Sequence, residues 1–134
     1  MNQITIAINS ALRCTIENTV KRVEVVTDTP DYYGGLGEMN TPVELLTASF
    51  GACILSIMGV TARKQGVSIA GSSATVSHVM ASEGRSRIAQ ISVAISVIGA
   101  PPAVRESLEA AARACPVHNS LHSDIETTMT FEWV

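Results

Sequence analysis

The sequence is poor in aromatic residues, in charge and in cysteine, and each shortage excludes a class of protein. Its 134 residues are 4% aromatic and 16% charged, with nine Lys and Arg against twelve Asp and Glu. Because no basic run occurs, binding to nucleic acid or to an anionic membrane is not expected. The three cysteines are widely spaced and odd in number, unlike a secreted disulfide framework, so we expect reduced thiols and a cytoplasmic protein.

The sequence also lacks clear signals for targeting or for a membrane-spanning helix. The segment MNQITIAINS lacks a basic region and a small-residue cleavage site, so no signal peptide is expected. Residues 45–62 carry no charge, close to the minimum for a spanning helix, but threonine, serine and glycine dilute them. The sequence therefore predicts a helix buried on nearly all sides within a soluble protein.

Hydrophobic periodicity predicts one α+β domain over residues 1–134, in the order ββ–α–ββ–αα–β. Strands are expected at residues 3–9 and 20–27, with Asn18 in the turn between them, and at 67–80, 87–98 and 125–133. Shorter helices are expected near residues 102–115 and 116–122. A chain of this length can bury one hydrophobic core of substantial size.

The long central helix is predicted from Pro42 to about residue 65, with Gly66 beyond its end. Thr41 suits the N-cap, and Glu44 completes a capping box. At ~1.5 Å per residue the helix is roughly 36 Å long, about the width of a small domain. One chain cannot easily cover such an apolar helix, which favours a second subunit.

Cysteines on the predicted helices carry the chemical hypothesis. Cys53 shares helical spacing with Leu46, Phe50, Ile57 and Val60, so it is predicted to lie on an apolar stripe. By itself this pattern is typical of a small buried hydrophobic residue.

Cys115 directly precedes Pro116 and is predicted to be the N-cap of the short helix. Free backbone N–H groups and the positive helix end favour a thiolate there, although a cap-position cysteine without chemistry is also possible. Cys53 and Cys115 suggest a peroxidatic and resolving pair, in which one thiolate becomes a sulfenic acid and the other closes a disulfide. Cys14, beside Arg13, is interpreted as an unrelated thiol.

Three other interpretations of the sequence compete with the thiol pair. Cys115, His118 and His122, with Cys53 as a fourth ligand, could bind a metal. A cysteine with His118 could instead form a nucleophile–base pair for acyl transfer, but no third orienting residue is evident. The run GGLG at residues 34–37 lacks the Lys and helix start that a phosphate-binding loop needs.

Two segments of the sequence resemble the OsmC/Ohr family of hydroperoxide reductases. The segments are TPVELLTASFGAC at residues 41–53 and ACPVHNSL at residues 114–121. The family has a proline opening its central helix and a cysteine eleven residues later, matched by Pro42 and Cys53. Its second cysteine precedes a proline, as Cys115 precedes Pro116. The resemblance implies antiparallel sheets wrapped around a long Cys-bearing helix in an intertwined homodimer.

The resemblance also implies a reaction without a metal or cofactor. Cys53 is the implied peroxidatic nucleophile and Cys115 the resolver, with organic hydroperoxides as substrates. A dithiol or a lipoylated protein is the implied reductant. The alternative function is a non-catalytic module of this fold that binds a small ligand or senses redox state.

The resemblance further implies charged side chains beside the Cys53 nucleophile. The family supplies an arginine from near the end of its first strand, and Arg13 is the best positional match. Its charge would favour the thiolate and polarise the peroxide. Family peroxidases carry Glu directly after the helix-opening proline, but here Val43 stands there and Glu44 follows. One residue turns a side chain ~100° around a helix, so Glu38 is a second candidate.

Overall fold

Alternating isoleucines near the start of the chain form the edge strand of an antiparallel sheet. The computed structural model describes residues 3–134, which divide into two compact units after Leu46. The first unit contains β1 (Ile4–Ile8), β2 (Arg13–Asn18) and β3 (Val23–Asp28), hydrogen-bonded in that order. The α+β class is confirmed, but the first unit has three strands where two were expected.

Strand β2 was missed because its sequence, RCTIEN, has only two apolar residues and its turns lack glycine. The chain reverses instead at Leu12 and Arg22, which take positive φ angles of 63° and 56°. Asn18 ends β2, and its side-chain oxygen accepts hydrogen bonds from the backbone N–H groups of Val20 and Lys21. Asn18 therefore starts the turn from β2 to β3 and does not join the two predicted strands.

Helix α1 (Pro42–Lys64) begins with the predicted capping box. The Glu44 backbone N–H donates to Thr41 Oγ1, and the Thr41 N–H donates to Glu44 Oε1, both at 3.1 Å. The helix ends two residues before Gly66, whose φ of 72° lets the chain leave the helix.

The buried face of α1 differs from the predicted stripe. Its buried residues recur every three or four positions, at Thr47, Phe50, Gly51, Ile54, Met58 and Ala62. Leu46 and Val60 are 43% and 47% exposed, and Cys53 lies at the edge of the buried face. By length and composition α1 could cross a membrane, and a third of its apolar window is buried in this fold.

The second unit builds a three-stranded sheet beside two short helices. The strands are β4 (Ser73–Met80), β5 (Ile88–Val97) and β6 (Glu126–Trp133), and the helices are α2 (Pro102–Arg113) and α3 (Pro116–Ser120). Strands β4 and β5 are antiparallel, as predicted, whereas β5 and β6 are parallel because the crossover through α2 and α3 lies between them. Residues 67–72, expected as strand, precede β4 as irregular chain.

The core of the second unit lies between α1, α2 and the sheet. Strand β5 contributes every second residue, in the predicted alternation. The fully or nearly buried apolar side chains include Phe50, Ile54, Met58, Ile91, Val93, Ile95, Val97, Leu108, Ala112 and Cys115.

Gly51 sets how closely α1 approaches β4. A Cβ at this position would lie 2.7 Å from Val76 Cγ2, whereas a Cβ at Gly59, on the same helix, would meet nothing within 4 Å. Gly51→Ala should lower the free energy of unfolding by about 1 kcal/mol, because an overpacking cost of about 1–3 kcal/mol exceeds the helix gain of about 1 kcal/mol. Gly59→Ala should raise it by about 1 kcal/mol. Urea unfolding checks both, and equal effects would contradict this packing.

Candidate functional site

Cys53 lies in the middle of α1, one helical turn after the buried Phe50. Its side chain is half-buried because it sits where the buried face meets the exposed face of the helix. It packs against the core cluster to which Cys115 belongs. This position combines contact with the core and access from solvent, which a reactive thiol needs.

Cys115 is the N-cap of α3, as the sequence predicted. It has an extended backbone, and its sulfur accepts a hydrogen bond from the His118 backbone N–H at 3.3 Å. Pro116 occupies the first helical position. The Cys115 side chain is completely buried, so α3 holds this thiol inside the second unit.

The Cys53 side chain acts on the Cys115 thiol, although the cysteines are 62 positions apart in the chain (115 − 53). Burial raises the pKa of the Cys115 thiol, and the neighbouring Cys53 side chain raises it further. The His118 N–H bond opposes both effects. Both cysteines are free thiols in this structure. The site therefore contains a half-buried thiol close to a fully buried thiol whose pKa is raised.

His118 and His122 do not form the metal site considered above. The two ring nitrogens of His118 contact the Arg113 carbonyl at 2.9 Å and Thr127 Oγ1 at 3.0 Å. His122 lies beyond the end of α3 and accepts a bond from the Asp124 N–H. Among residues 3–134, no three His, Cys, Asp or Glu side chains are grouped so that they could hold a metal ion. The same two hydrogen bonds occupy both nitrogens of the His118 ring. The ring is therefore not placed to act as a base for either sulfur.

Arg13 lies at the start of β2 and is bound to acidic side chains of its own unit. Its Nε and Nη2 donate to the two carboxylate oxygens of Asp28 at 2.7 and 2.9 Å. Nη2 also donates to Glu38 at 3.2 Å. Asp28 was missed by the sequence analysis because β2 was missed: once β2 pairs with β3, Arg13 and Asp28 are direct cross-strand partners.

Asp28 organises the loop that follows β3. Its carboxylate is buried and also accepts the backbone N–H groups of Glu38 and Met39, at 3.0 and 2.8 Å. The glycine-containing loop is thus tied back onto the carboxylate. At Gly35 a Cβ would collide with the Thr29 carbonyl, which explains the absence of a side chain there.

Asp28→Asn should remove a pH-dependent part of the stability. The Arg13 hydrogen bonds hold the pKa of Asp28 well below its usual range, backbone N–H groups add to this, and burial opposes it. Since the folded pKa is the lower one, the stabilisation is complete above the ordinary carboxyl pKa of about 4 and is lost as the pH falls towards the folded value. The difference in stability between wild type and Asp28→Asn should shrink below about pH 4.

Urea unfolding at a series of pH values, followed by circular dichroism, checks this prediction. The exposed Asp31 offers a matched control, because the same substitution there removes no bond to Arg13. A difference between wild type and Asp28→Asn that stays constant from neutral to strongly acid pH would contradict the assigned pairing.

Glu44 and Cys14 are placed by secondary structure. Glu44 forms the capping box of α1 with Thr41, and Asp28 and Glu38 bind Arg13. Cys14 is half-buried in β2, opposite Ile8 and Thr27 in the first unit. The catalytic roles of Arg13 and Glu44 stay predictions.

Comparison with known proteins identifies relatives of this chain. The family model described as OsmC-like protein matches residues 35–130. A candidate osmotic stress induced and detoxification response protein from Psychrobacter arcticus has a similar structure, with 29% identity and a TM-score of 0.91, over 98% of this chain and 96% of that one. No curated protein matches the sequence significantly.

Two further solved structures share the fold at lower identity. An organic hydroperoxide resistance protein from Legionella pneumophila is 18% identical, with a TM-score of 0.77, over 98% of this chain and 96% of that one. The organic hydroperoxide resistance protein OhrB of Bacillus subtilis is also 18% identical, with a TM-score of 0.68, over 98% of each chain.

Proposed function

Because the chain belongs to the OsmC-like protein family, we propose that it is a thiol-dependent peroxidase that reduces organic hydroperoxides. The observation that carries the proposal is the half-buried, partly accessible Cys53 beside the buried Cys115 at the cap of α3. The hydroperoxide resistance proteins with the same fold support the choice of substrate class.

The first step is an oxygen transfer to Cys53. Its thiolate attacks one oxygen of the hydroperoxide, the O–O bond breaks, and the other oxygen leaves as an alcohol after taking up a proton. Cys53 becomes a sulfenic acid, so the sulfur is oxidised by two electrons and the peroxide is reduced by two. Cys53 suits this role because it is the more accessible of the two thiols.

The second step closes a disulfide between Cys53 and Cys115. The Cys115 sulfur attacks the sulfenic sulfur, an S–S bond forms, and the hydroxyl leaves as water with the Cys115 proton. A buried thiol with a raised pKa is a poor first nucleophile, but it is protected from outside oxidants until the sulfenic acid forms beside it. An external dithiol, or a lipoylated protein, then reduces the disulfide by thiol exchange.

The charge partners remain those predicted from the resemblance, Arg13 and Glu44. A guanidinium offers five N–H donors, and Asp28 and Glu38 use the Nε and Nη2 atoms of Arg13. We propose that Asp28 orients Arg13 and that the guanidinium stabilises the Cys53 thiolate. Arg13→Lys should then lower the peroxidase rate while leaving the cysteines intact.

The proposal includes a homodimer in the cytoplasm. One face of the first sheet carries Ile4, Ile6, Ile8, Val23 and Val25, which are 44–65% exposed. A second copy of the chain would bury this apolar face, and cytoplasmic reductants would keep the thiols reduced.

A thiol titration tests the proposed function. Cumene hydroperoxide should lower the number of titratable thiols per chain from three to one, since Cys53 and Cys115 pair and Cys14 remains. Loss of a single thiol, or of none, in denatured protein would contradict the paired mechanism.

The alternative is a module that binds a small apolar ligand without catalysis. One observation favours it: a groove of about 690 Å³ in the second unit, lined by Leu55, Gly59, Val60 and Ile69 with Arg63 beside them. Its size is within the range of ligand pockets. If this alternative is right, cumene hydroperoxide leaves all three thiols titratable.

A further inference from the structure

His118 connects every element that positions the buried cysteine. Its ring contacts the end of α2 through the Arg113 carbonyl and strand β6 through Thr127 Oγ1. Its backbone N–H binds the sulfur of Cys115. The ring also stacks on Phe50, with centroids 5.7 Å apart and planes at 6°.

The hydrogen-bond partners fix the tautomer of His118. A carbonyl oxygen can only accept, so Nδ1 carries the proton and donates to Arg113. Nε2 then accepts from the hydroxyl of Thr127. With both nitrogens bonded, the neutral ring has one defined orientation and cannot rotate without losing both bonds.

The stacking partner ties this arrangement to the helix of the other cysteine. Phe50 is fully buried on α1 and lies three residues before Cys53, on the adjacent turn. The His118 ring therefore fixes the position of α3, and with it Cys115, relative to the segment of α1 that bears Cys53. The peroxidase scheme given above assigns no role to this side chain.

We propose that His118 is the positioning residue of the resolving step, holding the Cys115 sulfur in line with Cys53. This inference rests on the proposed roles of the two cysteines. A misplacement of about 1 Å can slow a reaction between held groups by about a hundredfold, so loss of the ring should act mainly on disulfide closure. Attack by Cys53 on an outside molecule needs no such alignment and should change little.

An aromatic disulfide separates the two events without a peroxide. Dithiobis(nitrobenzoic acid) reacts with Cys53 to give a mixed disulfide and one coloured thiolate. Cys115 then attacks the Cys53 sulfur, closing the protein disulfide and releasing a second coloured thiolate and a proton. In a Cys14→Ser background, the first phase reports the reactivity of Cys53 and the second reports the placement of Cys115.

The variants are chosen to remove the ring contacts one at a time. His118→Ala should slow the second phase by at least about tenfold and leave the first within about twofold. His118→Asn can keep the donor to Arg113, His118→Gln can keep the contact with Thr127, and both should fall between His118→Ala and wild type. Thr127→Val, which removes only the hydroxyl, should also slow the second phase. His122→Asn is the matched control, because that side chain is 65% exposed and its ring interacts with Asp124 beyond the end of α3.

An unchanged second phase in folded His118→Ala, or equal slowing of both phases, overturns the proposal. If His118→Ala does not fold by circular dichroism, His118→Gln and Thr127→Val decide by the same criterion. The test is separable from the proposed function: a wild type that closes the disulfide but does not consume cumene hydroperoxide contradicts the peroxidase alone. If the wild type consumes cumene hydroperoxide but the rate of disulfide closure does not depend on His118, only the positioning role is contradicted.

Discussion

Replacing Cys53 by serine is expected to abolish the reduction of cumene hydroperoxide. A serine hydroxyl is almost entirely protonated at neutral pH, and it cannot form the sulfenic acid on which the second step depends. The rate of hydroperoxide consumption, coupled to dithiothreitol, should fall at least about a thousandfold. Cys53 is half-buried, so a change from sulfur to oxygen should leave the fold intact, which circular dichroism can confirm.

The other two cysteines provide the controls for this result. Cys14→Ser should keep the full rate, because Cys14 belongs to β2 of the first unit and has no part in the proposed reaction. Cys115→Ser should allow one oxidation of Cys53 but no disulfide, so activity should decay as Cys53 is oxidised further. Turnover by Cys53→Ser close to the wild-type rate would exclude Cys53 as the nucleophile.

Ile6→Lys is expected to convert a dimer into a monomer. Ile6 lies in the middle of β1 and is 57% exposed in the single chain, on the apolar face proposed to meet a second copy. Burial of an isoleucine contributes about 1.5–3 kcal/mol, and a two-fold interface contains it twice. A loss of at least about 3 kcal/mol raises the dimer dissociation constant more than about a hundredfold.

Light scattering coupled to size-exclusion chromatography measures this change. Thr5→Lys is the matched control, since Thr5 is the neighbouring residue of β1 and points to the opposite face of the sheet. It should remain dimeric. A monomeric wild type, or dissociation of both variants to the same extent, would contradict the proposed interface.

The sequence was most informative where local chemistry determines structure. Thr41 and Glu44 predicted the start of α1 correctly because a capping box needs only residues three apart. Cys115 before Pro116 likewise predicted the cap of α3. These features depend on neighbours in the chain, so a single sequence contains the necessary information.

Features that depend on partners distant in the chain were harder to predict. Strand β2 is defined by pairing on both sides, and its turns use positive φ at Leu12 and Arg22, which no residue pattern indicates. Without β2, the cross-strand pair of Arg13 and Asp28 could not be inferred. The contacts of His118 could not be predicted either, because its partners come from α1, α2 and β6.

The buried face of α1 shows a third kind of limit. The apolar residues of this helix surround it, so several stripes fit the sequence equally well, and the wrong one was preferred. Gly51 and Thr47 lie on the buried face, although neither is strongly apolar, and at Gly51 the close approach of α1 to β4 favours a residue without a side chain. Cys53 consequently lies at the edge of the buried face, where its thiol is partly accessible, as a reaction with an outside molecule requires.

The central claim is that Cys53 and Cys115 form one redox pair, and peptide mapping under non-reducing conditions tests it most directly. Protein treated with one equivalent of cumene hydroperoxide should yield a single new cross-linked peptide pair, joining the segment that contains Cys53 to the segment that contains Cys115 within one chain. A cross-link through Cys14, or Cys53 oxidised to sulfinic acid while Cys115 remains a free thiol, would contradict the account.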